Sequence, residues 1–379
     1  MIKKLTFTVI LIFSSIFGNP VFCQESGTIG DSPYEFTAEI WMKPFAQDGF
    51  TWGGNSGVQV DSDNRIFFLQ RGETKLPDPL PAKYNNFPGS LGIPEWNVLQ
   101  GRGRVWQNCI YVINDKGEVV EVWNQWDHLF VGTDGPGPHR IRISPYDPEK
   151  RIWVIDETGH IIYVFSNDGK NLLKTLGEKN ISGKDKTHFS QPQDVAFLPN
   201  GAFLIADGLG NKRIVVHNAD GSYHSEFGEE GTAPHQFGSV HSLALGPGET
   251  LYALDRNNRN IKIFRQTAEP NSKAYPNYDY VKTWHGLALP LDITVSENYA
   301  WVTDLNPPKI VQFNLDGSKE YTWHLPTTGP NFWIEMHSLS IDSKGNLYGT
   351  DNQAGRPQKL VPKSDANPDY IIRKPYIAP

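Results

Sequence analysis

The stretch SVHSLALGPGETLYALDRNNRN, residues 239–260, contains two short alternating runs joined by a Gly-Pro-Gly turn. Alternation of apolar and polar residues on both sides of such a turn is typical of a β-hairpin. His241 comes just before the first alternation and Arg256 just after the second. Antiparallel pairing brings the start of one strand beside the end of the other, so both residues should face one opening.

Five other segments repeat this pattern of alternation, turn and second alternation, which in most of them ends in Asp. They begin SGVQVDSDNRIFFLQRG, HRIRISPYDPEKRIWVIDE, QDVAFLPNGAFLIADG, LDITVSENYAWVTDL and HSLSIDSKGNLYGTDN. Self-similarity at a period of about fifty residues, with four strands per unit, is typical of a β-propeller. The sequence predicts an all-β fold, a six-bladed β-propeller with four-stranded antiparallel blades around a central channel.

Composition agrees with a single large strand-and-turn domain. The chain has 379 residues, with 12% aromatics, 35 glycines and 28 prolines, enough bulk for a sizeable core and many tight turns. The net charge of −7 is mild and no basic block is present, which argues against a nucleic-acid partner.

The N-terminus is predicted to be a signal peptide, residues 1–23, followed by one propeller domain over residues 24–379. A basic start, MIKK, precedes an apolar run that is too short to span a bilayer. We therefore expect a secreted or periplasmic protein with no membrane span. A second interpretation makes Cys23 a lipid-anchored N-terminus. Cleavage after residue 23 leaves Cys109 as the only cysteine, so an internal disulfide is excluded.

An aspartate recurs at the end of the second strand of five segments. Short carboxylates at this point can accept N–H bonds from the following turn, so a structural role is predicted. The aligned positions are Gln70, Asp156, Asp207, Asp255, Asp304 and Asp351.

Three histidines occupy one aligned position in alternate segments. That column, at the start of the innermost strand, reads Ser56, His139, Gln193, His241, Leu291 and His337. Residues there can converge on the channel axis, so His139, His241 and His337 are predicted to bind one metal ion and leave a coordination position open. Zn²⁺ suits three imidazoles, and Fe, Ni and Cu are the other ions that this ligand set accepts.

Arg71 and Arg256 follow the second strands of opposite blades and should open onto the same end of the channel. A guanidinium grips a carboxylate with two hydrogen bonds, so an anionic ligand is predicted. The Pro- and Gly-rich insertion after Arg71 is expected to roof the site. Either the early segment YEFTAEIWMK or the late segment DANPDYIIRKPYIAP is expected to supply the strand that closes the ring.

Residues 189–264 carry a family resemblance, through FSQPQDVAFLPNGAFLIADGLGNKRIVVH and FGEEGTAPHQFGSVHSLALGPGETLYALDRNNRNIKIF. The chain resembles the NHL-repeat propellers, and more closely the catalytic domain of the peptidyl-α-hydroxyglycine α-amidating lyases. The resemblance implies that His139, His241 and His337 bind a catalytic zinc and that Arg71 and Arg256 are active-site arginines. It also implies cleavage of a carbinolamide C–N bond to an amide and glyoxylate.

The chain departs from that family at several positions. Leu209 stands where the family has a catalytic tyrosine, and Gly210 and Ser190 stand where it has a disulfide. Ser338 stands where the family has an aspartate ligand of a structural Ca²⁺, so calcium binding should be weakened even with help from the carbonyls of Val58 and Ile141.

The leading hypothesis is a zinc-dependent lyase of the carbon–nitrogen type, acting on a small molecule or peptide end that carries an anionic group. The metal would acidify a substrate hydroxyl or a water, and the two arginines would orient the anion. Metal-bound hydroxide, His160, Glu157 and Glu335 are the candidate bases in place of the missing tyrosine. The alternatives are a metal-dependent hydrolase of the lactonase or esterase type, and a non-catalytic propeller that binds peptide, glycan or protein.

Overall fold

The structure is a computed structural model that describes residues 27–37, 41, 50–75, 104–132, 135–267, 278–329 and 331–379. The predicted signal peptide and residues 76–103, most of the predicted roof, lie outside these ranges. The described residues form six sheets of four or five strands. In each of these sheets, strands that follow one another along the chain are antiparallel neighbours.

We number these sheets 1 to 6 along the chain and list their strands from the inside outwards. Sheet 1 contains Asn55–Ser62, Arg65–Gln70, Ile110–Ile113 and Val119–Val122. Sheet 2 contains Pro138–Ile143, Ile152–Asp156, Ile161–Phe165 and Leu172–Leu176. Sheet 3 contains Asp194–Phe197, Phe203–Asp207, Arg213–His217 and Tyr223–Phe227.

The second half of the chain repeats the arrangement. Sheet 4 contains Val240–Gly246, Thr250–Asp255, Asn260–Gln266 and Tyr278–Trp284. Sheet 5 contains Pro290–Val295, Tyr299–Asp304, Lys309–Asn314 and Lys319–His324, with Thr28–Gly30 added in parallel at its edge. Sheet 6 contains Met336–Ile341, Leu347–Asp351, Pro357–Pro362 and Tyr34–Phe36.

The core lies between neighbouring sheets, because each four-stranded sheet has two apolar faces to cover. Leu204 of sheet 3 and Leu243 of sheet 4 share one buried cluster, and Trp301 of sheet 5 and Leu339 of sheet 6 share another. Phe68 of sheet 1 and Tyr348 of sheet 6 share a third, so the last sheet packs against the first. The predicted all-β propeller is confirmed, while the blade count for the whole chain stays a prediction.

The N-terminal segment supplies the strand that completes sheet 6. Tyr34 pairs with Pro362 and Phe36 with Leu360, in antiparallel register. Of the two segments predicted for this role, the early one therefore closes the ring. The late segment crosses the opposite end of the channel: the N–H of Tyr376 donates to the carbonyl of Val295 at 2.7 Å.

Smaller elements complete the description. A short three-stranded sheet contains Phe50–Trp52, Glu73–Lys75 and Arg104–Val105. A two-stranded sheet contains Glu229–Glu230 and Gln236–Phe237. Two 3₁₀ turns span Asn124–Leu129 and Pro247–Glu249. Within the described ranges, no helix has the length and hydropathy that crossing a bilayer requires.

Candidate metal centre

Three imidazoles meet at one end of the channel, as the alignment of the repeats predicts. His139, His241 and His337 lie at the starts of the inner strands of sheets 2, 4 and 6, and their possible ligand atoms all fall within 4.8 Å of one another. The ring centroids are 4.7–5.2 Å apart, and each pair of rings is inclined by 80–86°. All three side chains are buried, so contacts with the rest of the protein hold them in this arrangement.

A backbone carbonyl fixes the tautomer of each ring. Nδ1 lies 2.8 Å from the Gln193 oxygen in His139, 2.6 Å from the Leu291 oxygen in His241 and 2.6 Å from the Ser56 oxygen in His337. A carbonyl only accepts, so each Nδ1 carries the proton and each Nε2 keeps a free lone pair. The three carbonyls belong to the non-histidine members of the same column, one sheet further around the ring.

The electrostatics keep these rings neutral. Burial lowers the pKa of His139, His241 and His337 well below the usual histidine value, and nearby positive charges lower it further. Within the described part of the chain, Nε2 of His241 is buried and has no hydrogen-bond partner. A buried lone pair with no donor is costly to leave unmatched, and neutral imidazole is the form that ligates metals. The donor set therefore fits a divalent metal ion such as zinc.

Arg71 lies beside this centre and is buried, with 2% of its surface exposed. Its Nη2 is 3.6 Å from Oε2 of Glu157, and the same carboxylate oxygen is 3.8 Å from Nε2 of His139. Burial raises the pKa of Glu157, and the Arg71 and Arg256 charges oppose that rise. Among the residues that the structure describes, the buried Nε of Arg71 has no hydrogen-bond partner, so this guanidinium keeps a donor for a ligand.

Arg256 approaches the same point from sheet 4. Its N–H donates to the carbonyl of Ser239 at 2.9 Å, which holds the chain just beyond the hairpin predicted from residues 239–260. Burial lowers the pKa of Arg256, while Glu157 and Glu335 both favour its charge. Glu335 is itself oriented by Gln353, whose Nε2 donates to Oε2 at 3.0 Å. Two guanidiniums and two carboxylates thus share one neighbourhood beside the three histidines.

The candidate bases differ in their freedom to act. His160 accepts the N–H of Gln191 at Nδ1, 3.0 Å away, so that lone pair is already used. Leu209, at the family's tyrosine position, has an apolar side chain and is half-buried. Glu157 has a carboxylate oxygen beside Nε2 of His139 and beside Arg71, which makes it the best supported of the named candidates.

The aspartates of the aligned column have the predicted structural role, and they accept hydrogen bonds from a preceding loop as well as from the following turn. Asp156 accepts the N–H of Gly159 in the following turn at 3.0 Å. Asp255 and Asp304 instead accept from the loop that precedes their own first strand, Asp255 from Ser239 at 2.9 Å and Asp304 from Leu289 at 2.7 Å. These carboxylates therefore fix the loops that lead into the metal-facing strands.

A second layer of charged residues lies directly behind the histidines, and sequence reasoning gave it no role. Arg140, Asp194 and Asp292 each come one residue after a member of the histidine column, and Arg142 is two residues beyond Arg140. Burial opposes the ionisation of Asp292, but Arg140 and Arg142 lower its pKa to about 2. Three charged residues in one column of the inner strands, Arg140, Asp194 and Asp292, were the available signal.

The comparisons with known proteins agree with this geometry. No protein-family model matches the chain. Over 251 residues the chain is 31% identical to peptidyl-glycine alpha-amidating monooxygenase of Mus musculus, a match that covers 62% of this chain and 23% of that protein. A probable peptidyl-alpha-hydroxyglycine alpha-amidating lyase of Caenorhabditis elegans is 30% identical over 142 residues, 37% of this chain and 40% of that protein. The chain is thus similar in sequence to proteins named as amidating lyases.

A second group of relatives is named for the repeat. NHL repeat-containing protein 3 of Homo sapiens is 28% identical over 272 residues, 69% of this chain and 75% of that protein. A streptogramin B lyase structure matches with a TM-score of 0.50 at 14% identity, covering 85% of this chain and 96% of that one, which shows a shared fold only. These relatives confirm the predicted resemblance. The chain spans about a quarter of the mouse protein and two fifths of the worm protein.

Proposed function

We propose that this protein is a metal-dependent lyase of the amidating type, acting on a small molecule or peptide end that carries a carboxylate. The observation that carries the proposal is the convergence of three Nε2 lone pairs beside Arg71 and Glu157. The homologues named amidating lyase support the reaction class.

His139, His241 and His337 would hold the ion, for which zinc is proposed. When bound, such an ion supplies Lewis-acid chemistry that lowers the pKa of a hydroxyl, with one coordination position left for the substrate. The histidines contribute fixed geometry, because each ring is oriented by its own carbonyl partner.

Arg71 and Arg256 would bind the substrate carboxylate. Arg71 is buried and Arg256 is half-buried, and partial exclusion of water strengthens a charge-assisted hydrogen bond. Holding the anion beside the three rings brings the carbon next to that carboxylate, with its hydroxyl, to the open coordination position. Oε2 of Glu157 would hold the proton that leaves this hydroxyl, the task for which Leu209 has no suitable group.

The experiment is to purify the protein, measure its metal content and supply N-acyl-α-hydroxyglycines. The expected result is about one metal ion per chain and release of glyoxylate together with the corresponding amide. His324→Ala, at an exposed histidine of sheet 5, is a matched control for His241→Ala. A protein that lacks metal, or that holds metal but turns over no hydroxyglycine, contradicts the proposal.

A hydrolase of the lactonase or esterase type is the second candidate, favoured by Leu209 in place of the family's tyrosine. Lactone and ester substrates in the same assay distinguish the two, because a hydrolase converts them without releasing glyoxylate. Bound metal with no conversion of any of these compounds favours the binding-protein alternative.

Export is proposed from residues 1–23. N-terminal sequencing of the mature protein tests it, with Gln24 as the expected first residue; a lipid-modified Cys23 supports the anchored alternative.

A further inference from the structure

Two arginines and two aspartates fill the channel directly behind the three histidines. Both guanidiniums of Arg140 and Arg142 contact both carboxylates of Asp194 and Asp292. The Arg140 and Asp194 side chains are completely buried, and that of Asp292 is 2% exposed. With two positive and two negative charges, the cluster is electrically neutral.

The carboxylates of this cluster are fully occupied. Arg142 grips both oxygens of Asp194, at 2.8 and 2.9 Å, and reaches Asp292 at 3.1 Å. The Ser242 hydroxyl lies 2.8 Å from Oδ2 of Asp194 and 2.9 Å from Oδ1 of Asp292, and its single proton is shared between these two carboxylates. Ser338 donates to Oδ2 of Asp292 at 3.1 Å. The residue at the implied calcium-ligand position is therefore a hydrogen-bond donor to a neighbouring carboxylate, and the site does not fit a calcium ion.

Arg140 also reaches the backbone of the histidine column. Its Nη1 donates to the carbonyl of His337 at 3.1 Å, and its Nη2 donates to the carbonyl of Leu291 at 3.1 Å. The Leu291 carbonyl is the same group that accepts Nδ1–H of His241. One guanidinium thus contacts the carbonyl that orients His241 and the backbone carbonyl of His337 itself.

We infer that Arg140 and Arg142 form a built-in cation that replaces the structural calcium implied by the lyase resemblance, and that Arg140 is a positioning residue for His241 and His337. The net charge of the cluster explains why the two arginines take the place of a calcium ion. A buried cluster prefers neutrality, so adding Ca²⁺ to two arginines and two aspartates would leave an uncompensated charge of about +2. Without Arg140 and with an aspartate at 338, the same cluster would carry about −2, which Ca²⁺ would neutralise.

The cluster also separates the two ends of the channel. Arg142 and Asp292 line a cavity of about 470 Å³ on the side away from the histidines, where the late segment with Tyr376 crosses. The two guanidiniums also tie the inner strands of sheets 2, 3 and 5 together at the axis, through Asp194 and Asp292.

The first experiment measures calcium dependence by thermal unfolding of the full chain in calcium-free buffer and in millimolar CaCl₂, with Zn²⁺ kept saturating in both. The wild-type Tm is expected to be the same in both, whereas Arg140→Met/Ser338→Asp should gain Tm on addition of Ca²⁺ but not of Mg²⁺. Stoichiometric calcium in the purified wild type, or a fall in its Tm in the calcium-free buffer, overturns the replacement. If the double variant does not fold, the wild-type comparison alone decides.

The second experiment tests positioning and rests on the proposed metal function. Co²⁺ is loaded into wild type, Arg140→Met and Arg142→Met, and its visible spectrum and dissociation constant are measured. Arg142 contacts the same aspartates but none of the column carbonyls named above, so it is the matched control. Arg140→Met should shift the spectrum and weaken Co²⁺ binding about 10- to 100-fold, while Arg142→Met should keep the wild-type spectrum.

The calcium and cobalt experiments distinguish failure of the inference from failure of the proposed metal function. Equal spectra and affinities for Arg140→Met and wild type overturn the positioning role. If wild type binds no Co²⁺, the positioning role fails together with the proposed function, while the calcium comparison still tests the replacement.

Discussion

The imidazole rings of His139 and His337 lie 4.7 Å apart between centroids and are inclined by 86°. They come from the inner strands of sheets 2 and 6, and Ser56 of the intervening sheet supplies the carbonyl that orients His337. Alternate sheets thus supply the rings and the sheets between them supply the supports. This relationship makes metal binding depend on the whole ring of sheets rather than on any local segment.

Replacing one of the three rings should abolish stoichiometric metal binding. His241→Ala removes one of three ligands, so metal content after purification should fall from about one ion per chain to a small fraction, because two imidazoles hold a divalent ion weakly. Elemental analysis checks it. His324→Ala should retain the wild-type metal content, and equal metal in His241→Ala and wild type would contradict the assignment.

Removing the metal should lower both activity and stability. A ligand present at about a thousand times its dissociation constant stabilises the folded state by about 4 kcal/mol. Treatment with a strong chelator should therefore lower the Tm and stop glyoxylate release, and added Zn²⁺ should restore both. Unchanged Tm and turnover in the chelated protein would argue against a metal centre.

Arg256→Met should impair recognition of the substrate anion. Loss of one charge-assisted hydrogen bond costs about 1.5–3 kcal/mol, so kcat/KM should fall roughly 10- to 150-fold. Substrates in which the carboxylate is replaced by a neutral amide should lose little or nothing from the same mutation. Arg151→Met, at a site remote from the channel, is the control. An equal loss for both kinds of substrate would mean that Arg256 does not bind the anion.

Asp255→Ala should destabilise the protein strongly. It removes the acceptor for the N–H groups of Gly238 and Ser239 and for the side chain of Asn258. Buried donors left unmatched cost about 1–3 kcal/mol each, so the free energy of unfolding should fall by more than 2 kcal/mol. Urea unfolding measures it. Asp220→Ala, in an exposed turn, should change it by less than about 1 kcal/mol.

Tyr34 tests the closure of the ring by the N-terminal strand. The side chain is 2% exposed, packs 5.8 Å from Trp323 and accepts the N–H of Ile372 at 2.9 Å. Tyr34→Ala should lower the free energy of unfolding by about 3–5 kcal/mol, as for other large-to-small core changes. Tyr34→Phe keeps the ring and should cost about 1 kcal/mol. A near-neutral alanine variant would mean that this strand does not stabilise sheet 6.

The repeated pattern of alternation and turn was enough to predict the propeller, the hairpin at residues 239–260 and the meeting of the three histidines. Alternation has a fixed period in a strand, so aligning the repeats also aligns the residues in space. It left open which terminal segment completes the last sheet, because a three-residue strand such as Tyr34–Phe36 has too little pattern to stand out.

Sequence by itself determined the class of the fold and the identity of the converging side chains, since both follow from positions within one repeated unit. Only the tertiary structure decided the protonation of each imidazole, the closeness of Glu157 to Arg71 and the four-residue charge cluster behind the site. These depend on contacts between different sheets, such as Arg140 with Leu291, and no local pattern encodes which carbonyl or carboxylate a buried side chain will meet.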